Sequence, residues 1–162
     1  MSEQRSKQRK GENSVLMILA ALSLTVTMIA VPIRVLAEDS FKEIVDAATG
    51  IRIELPPALL SREAKTRHGT NWSTAGRLIN VDTLAYPEDQ DFRRLYDALK
   101  RINGRRLDRD TWSDNSVTLS GRDQDGSSFH IELRRQGEKI RGVSLVYSPR
   151  ATDSARRIIA RL

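Results

Sequence analysis

Between Arg105 and Tyr147 three turn signals divide four short segments of alternating polarity, and no other feature restricts this chain as much. Ser116–Arg122 (SVTLSGR) sets Val117 and Leu119 against Thr118 and Ser120, and Ser128–Arg134 (SFHIELR) sets Phe129, Ile131 and Leu133 against His130, Glu132 and Arg134. A period of two is that of a strand with one face in a core and the other in water. Asp123-Gln124-Asp125-Gly126 and Gln136-Gly137-Glu138 supply turns, where Asp bonds nearby backbone and Gly takes the positive φ of a tight hairpin. Asp114-Asn115 turns the chain in from a segment ending at Trp112, and Lys139–Tyr147 (KIRGVSLVY) closes the series. Val143, Leu145 and Tyr147 share a phase that Ile140 breaks, which predicts a bulge at Gly142. Such an antiparallel meander needs apolar cover.

Two helices are expected to provide it. Pro87-Glu88-Asp89-Gln90-Asp91 opens the clearer one, with Phe92, Leu95, Tyr96, Leu99 and Ile102 on one stripe and Asn103-Gly104 as the stop. Thr152–Leu162 turns Ala155, Ile158, Ile159 and Leu162 the same way. Upstream, Ile51–Leu55 alternates and is closed by Pro56-Pro57, and Thr70–Thr74 with Arg77–Leu84 reads as a hairpin across Ala75-Gly76. Ala58–Arg67 reads as loop with at most one helical turn. Ser40–Ala48 fits either a short capped helix or an extended lead-in. The expected fold class is α+β, an antiparallel meander sheet flanked by two amphipathic helices, after an N-terminal hydrophobic export segment.

That segment begins basic, runs uncharged from Val15 to Ile33, and ends Arg34-Val35-Leu36-Ala37 before Glu38-Asp39. As a helix the uncharged run is about 28 Å long, near the thickness of a bilayer core. Pro32 breaks that helix, and Val35 and Ala37 stand in the small-residue relation that signal peptidase accepts, so cleavage after Ala37 is favoured over a retained anchor. Residues 15–33 contact the membrane if they are not cleaved. In either case the basic end stays inside and the domain is exported, to the periplasm or beyond, or is held outside as a single-pass anchored domain. The expected division is 1–37 signal or anchor, 38–49 lead-in, and 50–162 domain. The chain has no Cys, which excludes disulfides, thiolate metal sites and Cys nucleophiles. Five basic against two acidic residues in Met1–Ala37 take half of the net charge of +6. The modest remainder argues against nucleic acid as a partner.

With this order of elements the chain resembles the PsbP-like α/β/α sandwich. GIRIELP (Gly50–Pro56), NWSTAGR (Asn71–Arg77), FRRLYDALK (Phe92–Lys100) and RRQGEKIRGVSLVY (Arg134–Tyr147) also resemble a group of uncharacterised bacterial exported domains. The resemblance implies an accessory or binding module. In some relatives such a domain precedes a trypsin-like protease; this chain carries no Gly-Asp-Ser-Gly-Gly, so proteolysis does not follow.

Catalytic signals are sparse. His68, in a loop with hydroxyls nearby and Asp82 downstream, allows a Ser-His-Asp arrangement to be written, but no nucleophile motif accompanies it. His130 falls on the outward phase of a strand, where cross-strand bonding is expected. The two His lack metal-site spacing, and Asp123-Gln124-Asp125-Gly126 lacks the terminal acid of a calcium loop, so neither a metal nor another cofactor is expected. Trp72 is a weak binding candidate. The surface feature singled out is arginine: beyond Ala37 only Lys42, Lys65, Lys100 and Lys139 are Lys, and the other basic residues are Arg. Arg93, Arg94, Arg101, Arg105, Arg106 and Arg109 are expected to form one face for an anionic partner, unless the neighbouring Asp residues neutralise them. The favoured reading is an exported, non-catalytic binding or accessory module of the cell envelope, with an envelope protein or an anionic wall or lipid component as partner. A small exported hydrolase using His68 and a membrane-tethered structural subunit are the alternatives.

Overall fold

The computed structural model of the protein describes residues 40–102 and 104–162. The hydrophobic stretch 15–33 and the cleavage point after Ala37 lie outside the described residues. Among the described residues no helix is long and apolar enough to cross a membrane. The elements run β1 (Lys42–Val45), β2 (Arg52–Leu55), α1 (Pro57–Leu60), β3 (Glu63–Lys65), β4 (Thr70–Ser73), β5 (Ile79–Tyr86), α2 (Phe92–Lys100), β6 (Arg106–Ser113), β7 (Ser116–Arg122), β8 (Ser128–Gln136), β9 (Lys139–Tyr147) and α3 (Thr152–Ile159). Short 3-10 turns occupy Ala75–Arg77 and Pro149–Ala151. β1 and β2 pair as a two-stranded sheet, and the other seven strands form one antiparallel sheet in the order β3-β4-β5-β9-β8-β7-β6.

The expectation of a meander flanked by two amphipathic helices is overturned. Strand makes up 46% of the described residues and helix only 22%. The two faces of the large sheet are covered by unequal means. Over β6 to β9, α2 presses Phe92, Leu95 and Tyr96 onto Val117, Leu119, Phe129, Ile131 and Leu133. On the opposite face most of the apolar bulk comes from Ile53 and Leu55 of β2, Leu59 of α1 and Trp72 of β4. Only Ala155 and Ile158 of the two-turn α3 are fully buried there, against Ile79, Val81, Val143 and Leu145. Each fully buried large side chain contributes about 1.5–3 kcal/mol, so the small pieces β2 and α1 do what a second long helix was expected to do.

Several local expectations change for identifiable reasons. Of the two readings of Ser40–Ala48 the extended one holds: Lys42–Val45 is a strand, paired with Arg52–Leu55 through a turn in which the Gly50 N–H donates to the Asp46 carbonyl at 2.7 Å. Gly142 is not a bulge, since β9 keeps an unbroken register with β5 and with β8. Glycine is needed there because a Cβ would overlap the Glu132 carbonyl oxygen and crowd Leu133. The bulge lies instead between Leu107 and Arg109 in the edge strand β6. Ile102 falls beyond the last turn of α2 and is 44% exposed. Nor does His130 face water, because both sides of β8 are covered and it is only 6% exposed.

Candidate functional site

The β8–β9 hairpin places the most unusual pair in the molecule. Gly137, at φ +65°, permits a two-residue turn, and counting outward from it Gln136 faces Lys139, Arg135 faces Ile140 and Arg134 faces Arg141. Directly opposed residues share a face, and like charges so placed repel. Among the described residues neither Arg134 nor Arg141 has a carboxylate within ion-pair distance. Both line a cleft of about 240 Å³ on the face of the sheet that α3 covers, walled on one side by Gly50, Ile51 and Arg52 of the β1–β2 hairpin and on another by Leu162. Gly50 has φ +72°, and its exposed side lies against the Arg141 guanidinium, so the turn gives the head group room. One carboxylate reaches this cleft, that of Glu132, and it is engaged by the buried His130, with Nε2 at 3.0 Å from Oε1. Arg52 spends its charge on Glu43 at 3.0 Å, with both side chains exposed.

A second opposed arginine pair lies on the same face. Arg106 of β6 is directly opposite Arg122 of β7, and beyond the bulge Arg109 is opposite Ser120. Arg122 lines a further cleft of about 310 Å³ with Ser120, Ser128, Tyr147 and, from α3, Thr152 and Arg156. Asp108 is the carboxylate at this end, and Arg156 contacts Asp153 at 3.8 Å at the surface.

The hairpin that walls the first cleft is fastened to the sheet by a buried carboxylate. Asp46 is 2% exposed and accepts from the hydroxyls of Thr83 at 2.6 Å and Thr49 at 2.7 Å on Oδ2. On Oδ1 it accepts from the Thr70 hydroxyl at 2.7 Å and the Ala48 N–H at 3.1 Å. Lys65 stands at 3.9 Å and itself donates to Thr70. Burial alone would raise the Asp46 pKa, but the hydrogen bonds from Thr83, Thr70, Thr49 and Ala48 outweigh it and hold the carboxyl at about 2. Gly69 is confined for the same reason: a Cβ would overlap the Thr83 carbonyl and crowd Thr49.

The arginines singled out from the sequence do not form one face. Arg93, Arg94 and Arg101 ride on α2, across the sheet from Arg106 and Arg109. Arg93 lies over the rings of Trp112 and Tyr96 at 4.9 and 5.1 Å, Arg94 pairs with Asp91 at 3.8 Å, and Arg101 with Asp97 at 3.8 Å. Arg105 is buried: its side chain is 6% exposed, forks onto Asp123 at 2.8 and 3.2 Å, and stacks on Phe129 at 3.9 Å. Trp72 is buried in the core under α1. The His68 ring stacks on Tyr86 at 4.7 Å, and among the described residues no hydroxyl or carboxylate bonds to it. Asp82 accepts instead from the Asn71 amide at 2.9 Å; burial raises its pKa, and that bond offsets part of the rise. Among the described residues no three His, Cys, Asp or Glu side chains gather as a metal site would require.

No family model and no curated protein sequence matches the chain. Among solved structures it is similar to cyanobacterial PsbP (CyanoP) from Synechocystis sp. PCC 6803, at a TM-score of 0.54 and 12% identity, over 75% of this chain and 91% of that one. The fold is PsbP-like. The Saccharomyces cerevisiae Ran-binding protein Mog1p aligns at a TM-score of 0.45 and 12% identity, over 76% of this chain and 85% of its own. At such identities the PsbP-like fold carries no residue across, and the candidate site stands on this chain's own side chains.

Proposed function

We propose that the protein is an exported, non-catalytic binding module of the cell envelope that holds an anionic partner with Arg134 and Arg141. One observation carries this reading: Arg134 and Arg141 are opposed residues lining one cleft, and among the described residues neither has a carboxylate within ion-pair distance, the cleft's Glu132 included. Opposed like charges cost stability in the free protein, and an anion between them relieves that repulsion while accepting the planar forks of both. Export is supported by the basic start, the uncharged run 15–33 and the small residues before Glu38. The quoted sequence phrases and the PsbP-like fold support membership in the group of bacterial exported domains that the chain resembles. The surroundings of His68 lend no support to a hydrolase.

Inorganic pyrophosphate is a suitable first probe, titrated calorimetrically into the full chain. The expected result is saturable binding that weakens at least tenfold in the Arg134→Gln/Arg141→Gln double variant. Its melting temperature is expected to equal or exceed that of the unaltered protein, because the substitution removes a repulsion. Binding that is unchanged in the double variant refutes the reading.

A further inference from the structure

The two opposed arginine pairs stand on one face of one sheet, toward opposite ends of its four adjacent strands β6 to β9. We infer that this face is a track for a linear phosphate polymer, gripped at one end by Arg134 and Arg141 and at the other by Arg106 and Arg122; the inference rests on the proposed binding function and names its ligand. Register fixes the geometry. Arg122 is opposite Ser128 at the start of β8, and Arg134 lies six residues further along that strand, opposite Arg141. At about 3.4 Å per residue the two grips are roughly 20 Å apart. That span exceeds any single small anion.

Between the grips the residues on this face are polar. Its floor is the half-buried Thr118 and Ser120 of β7 with Ser128 and Glu132 of β8, His130 being buried between them, and Thr152 and Arg156 of α3 line one end and Leu162 the other. Hydroxyls donate to phosphate oxygens and to sugar or polyol linkers, and they offer no apolar socket for the side chains of a peptide. Of the aromatic residues lining the two clefts Phe129 is buried and Tyr147 alone is partly open, which is too few for the successive base stacking of a single-stranded nucleic acid. Two carboxylates oppose an anion on this face. Glu132 is held by His130, and Asp108 sits at the bulge beside Arg106 and Arg109, so the cations outnumber the acids at both ends. The four principal arginines have no ion-pair partner among the described residues, in contrast to Arg93, Arg94, Arg101 and Arg105 on the other side.

The experiment compares long-chain linear polyphosphate with pyrophosphate on the full chain, at two salt concentrations. A ligand engaging both grips gains by effective concentration, typically about 10²–10⁴. Long polyphosphate is therefore expected to bind at least a hundredfold tighter than pyrophosphate. Arg106→Gln/Arg122→Gln should abolish that gain and leave pyrophosphate binding unchanged, with the slope of log affinity against log salt falling by about two. Equal affinity for the two probes, or a gain that survives the Arg106/Arg122 double variant, overturns the track while leaving the single grip standing. Failure of both probes to bind overturns the proposed function as well. Single-stranded DNA or polyglutamate binding more tightly than polyphosphate of equal charge assigns the face to another polymer and refutes this one.

Discussion

Asp46→Asn isolates the hub that fixes the β1–β2 hairpin, and its effect can be worked out from geometry. The carboxylate takes three hydroxyl donors and one backbone N–H while 2% exposed. An amide of the same shape loses the charge and presents an NH2 to at least one hydroxyl that was donating. Holding the carboxyl at about 2 rather than its ordinary 3.8 corresponds to about 2 kcal/mol favouring the ionised folded form. A hydroxyl left unpaired in the interior adds about 1–3 kcal/mol. The substitution should therefore destabilise the protein by about 3–5 kcal/mol at neutral pH. Because the folded pKa lies below the unfolded one, the ionic part is fully present above about pH 4 and is lost as pH falls toward 2. Asn does not titrate, so the gap between the two proteins should narrow by about 2 kcal/mol between pH 5 and pH 2. Urea unfolding of both full chains followed by far-UV circular dichroism at a series of pH values measures that gap directly. A penalty under about 1 kcal/mol at pH 7, or one that does not change with pH, refutes the argument. The same loosening should reach function, because the turn that Asp46 anchors carries Gly50 against Arg141.

Two further substitutions test the packing that frames the clefts. Gly142→Ala drives a Cβ into the Glu132 carbonyl and should separate β8 from β9, giving misfolded or aggregated protein. Gly126→Ala, at φ +80° with open space around it, should cost only about 1 kcal/mol; similar melting temperatures for the two variants would show that the register is wrong. Arg105→Ala strands Asp123 and uncovers Phe129, and should lose about 3–5 kcal/mol. Arg94→Ala, whose side chain is 87% exposed, should change the melting temperature little; equal effects would place Arg105 at the surface after all.

The parts of this fold legible from sequence are those made by neighbours in sequence. Alternation and turn residues mark β7, β8 and β9 because each hairpin closes over a few residues, and Asp91 caps α2 through its bond to the Arg94 N–H, a local event. What covers the sheet was not legible in that way. The alternation of Ile51–Leu55 marks β2 as a strand but not as cover for the large sheet, and the four-residue α1 is too short for periodicity to show, yet Ile53, Leu55 and Leu59 are among the most buried side chains. Hydrophobic stripes pointed to two helices, but a stripe reports an apolar face and not how much of the sheet that face covers. Asp46 left no signal at all, because Thr70 and Thr83 come from strands 24 and 37 residues away.

The binding face lies between these extremes, and its error is instructive. Arg93, Arg94, Arg101, Arg105, Arg106 and Arg109 are close in sequence, but α2 lies on one face of the sheet while Arg106 and Arg109 of its edge strand β6 point to the other. Proximity in sequence failed where strand register would have succeeded. Once Gly137-Glu138 is taken as a two-residue turn, Arg134 must face Arg141, and that pairing requires only counting. The equivalent count from the Asp114-Asn115 turn goes wrong by one at the β6 bulge, because the extra residue puts Arg106, rather than its neighbour Leu107, opposite Arg122. Without the bulge Leu107 would occupy the arginine's place on the α3 face and Arg106 would point toward α2. The irregularity in the edge strand is thus what brings a second guanidinium to the track. Arg106→Gln alone should therefore lower the polyphosphate gain while sparing pyrophosphate, and a variant that keeps the gain would show that Arg122 suffices at that end.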